Sequence, residues 1–265
     1  MTALLGCALL VAVVAAVRGT WSPCGLSMLS AINPLSEQSR GHRYGLTCTW
    51  FVAGSVLGGV AMGALGAVLS PLASLVPAAA VGCVAALVTL ASDLRLGGFS
   101  LPTHPRQVDE TWFGAFRRWV YAAGFGAQIG IGFATYIMTA ATYLVVVLAA
   151  LTGSAVAALA VGAVFGLLRG LAVLLSAAAQ TPADLRRLHR RLDRLGPWSS
   201  RTAVAAQAFV AVVLADQSAG PAGTLIVVVA LAAAAVTHAI FGTVGRLPTR
   251  LRTVPAESSA SSHGR

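Results

Sequence analysis

The sequence predicts an all-α membrane protein, a polytopic bundle of about seven transmembrane helices with almost no soluble domain. Three observations point there. Of the 265 residues, 57% are hydrophobic and only 10% are charged, against about 25% charged in a soluble globular chain. The apolar residues fall into runs near the ~20 residues that a helix needs to cross the hydrocarbon. All eighteen basic residues are Arg, and nearly all lie in short segments between those runs.

The runs are 3–32 (interrupted), 45–69, 72–91, 119–151 (interrupted), 154–178, 202–216 and 222–243. Arg40 and Arg43 follow the first, Arg95, Arg106, Arg117 and Arg118 the third, and six Arg the fifth. Four more occupy the tail beyond 244. The connections near 70, 152 and 217–221 carry no basic residue. Seven spans place every Arg-bearing segment on one side, which the positive-inside rule makes cytoplasmic, with the N-terminus outside. The expected location is the cell membrane, as a multi-pass protein. Residues 3–17 read as an uncleaved first span, because no basic residue precedes them.

A net charge of +10 raises nucleic-acid binding as a function. The dispersal of Arg among short connections argues against it. Cys7, Cys24, Cys48 and Cys83 form no C-x-x-C pair, so neither a disulfide framework nor a structural zinc site is expected. No metal site or cofactor is expected. No phosphate-binding loop, metalloprotease motif or nucleophile–base pair occurs, so a conventional active-site enzyme is not expected.

Leu185, Leu188, Leu192 and Leu195 recur at helical spacing among Arg186, Arg187, Arg190, Arg191 and Arg194. This reads as a basic amphipathic helix on the anionic inner leaflet, either a lipid-binding element or a topology anchor. Asp109 to Trp119 reads as an interfacial turn, and residues 247–265 as a disordered cytoplasmic tail.

Two runs contain helix breakers. The first holds Trp21-Ser22-Pro23-Cys24-Gly25, where Pro23 removes a backbone donor and clashes with the preceding turn. The fourth holds Gly124, Gly126, Gly130 and Gly132 within nine residues, each weakening a helix by roughly 1 kcal/mol relative to Ala. Aligning the two sets Cys24 against Gln128. Ser27 and Ser30 follow the first break, and Thr135, Thr139 and Thr142 follow the second at helical spacing. The next spans carry Gly54-x-x-x-Gly58, Gly59-x-x-x-Gly63 and Gly162-x-x-x-Gly166-x-x-x-Gly170, spacing that lets helices approach closely. Residues 3–91 and 119–216 thus read as an inverted 3+3 repeat with 222–243 as an extra helix, all one domain over 1–246.

Backbone freed at a break has to be buried or line a wet cavity. The candidate substrate-binding residues are therefore Pro23, Gly126, Gln128, Gly130, Thr135 and Arg169. Arg169 lies deep in the fifth run with no acid in the apolar runs to pair with it, and intramembrane charge is a functional signal by default. Cys24 beside Pro23 could be a redox thiol, a soft metal ligand or a small buried residue. This pattern points to a transporter-like protein with a small-solute site between broken helices 1 and 4. A structural subunit of a membrane complex is an alternative.

Ser22-Pro23-Cys24 in a first span, with a partner break in the fourth, resembles the transmembrane region of the CcdA/DsbD family. The resemblance implies a thiol-disulfide electron carrier that supports cytochrome c biogenesis or disulfide reduction. Cys24 would be its catalytic thiol, and a redox protein its partner. The second motif cysteine is absent, with Gln128 in its aligned place. Cys48 is the remaining candidate at similar depth.

Overall fold

The computed structural model describes residues 2–102 and 111–244, and the side chains of these except Gly114 and 238–244. The expected interfacial turn at Asp109-Glu110 and the tail at 247–265 fall outside the described residues. The described residues form helices joined by turns and irregular stretches, with no strand among them. Four helical stretches are long and apolar enough to cross a membrane: Thr2–Gly19, Tyr44–Leu75, Ala155–Ser176 and Pro182–Thr237. Ala78–Asp93 and Ala141–Leu151 are apolar and shorter.

The first run is broken as its Pro requires. Helix α1 (Thr2–Gly19) ends three residues before α2 (Pro23–Ala31). Ser22 caps α2, its hydroxyl accepting from the Gly25 N–H at 3.1 Å, and Pro23 takes the first helical position, where no donor is needed. A short α3 (Pro34–Ser39), capped by Asn33, precedes α4 (Tyr44–Leu69). Then come α5 (Ala78–Asp93), α6 (Trp112–Ala115), α7 (Arg118–Ile131), α8 (Ala141–Leu151), α9 (Ala155–Leu171) and α10 (Pro182–Val244).

Helix α4 is the centre of the bundle, with α7 on one side and α9 on the other. Its two glycine stripes explain why. Gly54 and Gly58 lie against the Ala123 and Ala127 carbonyls of α7, while Gly126 and Gly130 of α7 lie against those of Phe51 and Ser55. Gly59 lies against the Gly162 carbonyl of α9, and Gly162 against that of Gly59. A side chain at any of these positions would strike backbone. Ser55 Oγ donates to the Gly166 carbonyl at 2.7 Å and locks the α4–α9 crossing.

This corrects the sequence reading of the fourth run. Gly124, Gly126 and Gly130 do not break it; they sit inside α7 as packing surfaces. The break comes later, over residues 132–140, opened by Gly132 at φ 75°. Thr135 and Thr139 lie in this non-helical stretch, so they do not share a helix face with Thr142. Pro23 and Cys24 begin a helix after their break, whereas Gln128 lies inside a helix before its own. The two interruptions fall at different places in their runs.

The basic segment is also corrected. It is not a separate surface helix: α10 runs unbroken from Pro182 through Gly196-Pro197 to Gly220, whose φ of 62° and ψ of −153° interrupt it. Leu192 is buried, its carbonyl accepting from Trp21 Nε1 at 2.7 Å, so the stretch stands against the α1–α2 break.

One apolar core joins α1, α5, α8, α9 and α10 through Val11, Ala86, Leu144, Leu148, Phe165 and Leu214. A second joins α2, α4 and α7 through Met28, Ile32, Phe51, Phe125 and Ile129. The outer surface carries Leu57, Val68, Val84, Val156, Leu225 and Ile226, apolar exposure of a kind that suits lipid.

Candidate functional site

Three polar clusters interrupt this apolar bundle. The first surrounds Arg169, which is only 6% exposed. Its guanidinium crosses from α9 to the end of α1 and lies against the backbone of Gly19. Arg169 Nε donates to the Ile129 carbonyl of α7 at 3.4 Å. Among the described residues no carboxylate pairs with it. Beside it is a cavity of about 20 Å³ lined by Gly19, Thr20, Gly25, Met28, Phe51 and Ile129, among others. That is room for about one water. The structure therefore brings Arg169 to the first break and to the carbonyl between Gln128 and Gly130.

Cys24 is buried beside Gly25 and within electrostatic reach of Arg169. None of the four cysteines is in a disulfide, and all are buried. Gln128 is half-buried and lines neither the cavity beside Arg169 nor the chamber beside Asp93. Thr135 is fully buried, with its hydroxyl unpaired among the described residues. Gly126 and Gly130 are occupied by helix packing, and Pro23 by starting α2. Of the expected set, only Arg169 lines this small cavity; Gly19 and Gly25 beside the break join it.

The second cluster gathers on Glu37, whose side chain is fully buried. Arg40 Nη1 donates to Oε1 at 2.9 Å, Thr47 Oγ1 to Oε2 at 2.5 Å, and the Tyr121 hydroxyl to both oxygens at 3.2 Å. His42 Nδ1 lies 3.2 Å from the Tyr121 hydroxyl. This cluster ties α3 to α4 and α7.

The third cluster is the roomiest polar one. Asp93, at the end of α5, accepts from Thr139 Oγ1 at 2.5 Å, the Ala140 N–H at 2.7 Å and Gln207 Nε2 at 2.7 Å. It thereby caps the start of α8 from another helix and fixes the second break. Beside it opens a chamber of about 240 Å³, walled by Arg18, Asp93, Arg95, Tyr136, Thr139 and Tyr143 among others. The freed backbone of the second break faces this chamber. Asp93 reads in the sequence as a loop charge after the third run. Its one signal there is an acid two positions beyond the third run, 72–91.

Comparison with known proteins gives a consistent set of relatives. Methylamine utilization protein MauF of Methylophilus methylotrophus is 33% identical over 64% of this chain and 62% of its own length. MauF of Paracoccus denitrificans is 31% identical over 66% of this chain and 64% of its own. MauF of Paracoccus versutus is 28% identical over 58% of each. The chain spans less than two thirds of the length of these relatives. No family model matches, and no solved structure matches.

These relatives overturn the expected family. The chain's similarity is to MauF and not to CcdA/DsbD, so neither the electron-carrier reading nor the transporter reading stands. Cytochrome c biogenesis falls with them. A tripeptide at a helix start is a cap-and-Pro signature that any broken helix can carry, and here it does local structural work.

Proposed function

We propose that this chain is a membrane-embedded component of methylamine utilisation. The observation that carries the reading is the run of similarity to MauF proteins. A match over 64% of a 265-residue chain cannot avoid its middle. It takes in α7, the second break, α8 and most of α9, the elements that hold Arg169 and Thr139. What is similar includes the second break and the helix that bears Arg169.

The membrane setting is supported by the long apolar helices, the aliphatic outer surface and the inward placement of Arg169, Glu37 and Asp93. Seven spans with an outside N-terminus keep the Arg-bearing segments cytoplasmic. The reciprocal crossing of Gly59 and Gly162 suits a 3+3 inverted repeat in which α4 and α9 are counterparts. Arg187, Arg190, Arg191 and Arg194 cluster on one side of α10, a fit for anionic lipid.

Deleting the gene from its host tests the role. Growth on methylamine as sole nitrogen source should stop, growth on ammonium should continue, and the tagged chain should sediment with membranes. Undiminished growth on methylamine, or a host that never uses it, overturns the proposal.

A further inference from the structure

Two guanidinium groups and one carboxylate, those of Arg18, Arg95 and Asp93, belong to residues that line the chamber. Asp93 is nearly saturated: three donors already occupy its oxygens, which offer about four lone-pair sites in all. Arg18 makes two long hydrogen bonds, from Nη1 to the Gly196 carbonyl at 3.4 Å and to Ser199 Oγ at 3.5 Å, and lies within electrostatic reach of Asp93. The Arg95 side chain has no hydrogen bond or ion pair among the described residues. Each guanidinium presents five N–H donors in a planar fork. Among the described residues the wall therefore carries two positive charges against one carboxylate, and that carboxylate is largely committed to Thr139, Ala140 and Gln207.

The backbone adds an independent observation. Arg95 adopts φ 50° and ψ 42°, the left-handed region, and no other non-glycine among the described residues has a positive φ. That conformation disfavours an L side chain by about 1 kcal/mol or more. A left-handed residue just after the C-cap, here Leu94, is a common helix ending, but glycine usually fills it. Here an Arg does, and its turn brings it to the lining of the chamber of about 240 Å³ that Arg18 of α1 also lines.

We propose that this chamber binds a phosphate oxyanion between Arg18 and Arg95, either free phosphate or the phosphate of a lipid headgroup. Guanidinium forks match phosphate oxygens in pairs. Phosphate brings enough oxygens to meet both forks and a hydroxyl such as that of Tyr136, where a carboxylate brings two. A cation, methylammonium included, would meet two like charges. The volume accommodates the anion with several waters, each needing ~30 Å³. This site stands independently of the methylamine reading.

The test uses the full chain in an uncharged detergent. Inorganic phosphate is titrated by calorimetry in a chloride background of constant ionic strength, and phosphatidylglycerol is compared with phosphatidylcholine in nanodiscs by thermal unfolding. Arg95→Gly is the informative variant, because glycine accepts the left-handed turn while the guanidinium is lost. Saturable phosphate binding weakened roughly tenfold or more in Arg95→Gly, and unchanged in Arg117→Gln, a change at an exposed arginine, identifies free phosphate. A stabilisation by phosphatidylglycerol alone that Arg95→Gly abolishes and Arg117→Gln keeps identifies a lipid headgroup. No response to either ligand, or an equal response in Arg95→Gly, overturns the proposal.

Discussion

The guanidinium of Arg169 rests directly on the backbone of Gly19, where even a methyl group would collide with Nη1. This contact joins the fifth hydrophobic run to the break in the first. Gly19→Ala should therefore expel the Arg169 side chain from its seat and cost about 1–3 kcal/mol of stability, the usual penalty for overpacking. A thermal shift in detergent reads it. Because the clash is with one flexible side chain, Arg169→Met should absorb most of the Gly19→Ala penalty in a double-mutant cycle. Additive losses would show that the two residues are not coupled.

Gly59 and Gly162 meet each other's backbone across the α4–α9 crossing, while glycines elsewhere have open space. Gly162→Ala would press a methyl group onto the Gly59 carbonyl, which cannot move aside without separating α4 from α9. The expected loss is at least 2 kcal/mol, read as a lowered unfolding midpoint. Gly6 in α1 has open space at its Cβ position. Gly6→Ala should be neutral or stabilise by up to about 1 kcal/mol, through helix propensity alone. Equal effects at the two positions would contradict the packing described for the α4–α9 crossing.

That division also shows what the sequence could and could not convey. The all-helical class, the break before Pro23 and the buried, acid-free setting of Arg169 were legible. Each rests on residue type and local spacing. The glycine cluster in the fourth run misled, because propensity alone cannot separate a glycine that loosens a helix from one that lets a neighbour approach. In α7 the second use prevails, and the run opens only after Gly132, where the Asp93 carboxylate receives the Ala140 N–H. That cap comes from a helix 47 residues away and has no local signature. The basic segment and the sixth run read as separate elements, yet α10 continues through Gly196-Pro197, with Leu192 and Ser199 buried on either side.

Glu37 carries a clear stability prediction. Its carboxylate accepts from Arg40, Thr47 and Tyr121 while fully buried. Glu37→Ala leaves the Tyr121 and Thr47 hydroxyls without that acceptor, at a cost of about 1–3 kcal/mol. Glu37→Gln keeps an acceptor of the same shape and should lose less. Unfolding midpoints of the two variants in detergent decide the matter, and equal losses would mean that the hydrogen bonds to Tyr121 and Thr47 contribute little.

The start of α10 carries the pH prediction. Thr181 and Asp184 form a reciprocal cap: the Asp184 N–H donates to Thr181 Oγ1 at 3.2 Å, and the Thr181 N–H and hydroxyl donate to Asp184 Oδ2 at 3.1 and 2.7 Å. The hydroxyl bond first, then the backbone N–H and Arg187, holds the Asp184 carboxyl below its ordinary value. A depressed acid contributes stability that is present above its unfolded-state pKa and disappears as pH falls through the folded one. The cap should therefore support the first turn of α10 at neutral pH and release it in acid. Asp184→Asn removes the titration. Spin-label mobility in the first turn of α10, compared between wild type and Asp184→Asn, should differ at neutral pH and converge in acid. A difference that persists unchanged at low pH would show that charge on Asp184 has no part in the cap.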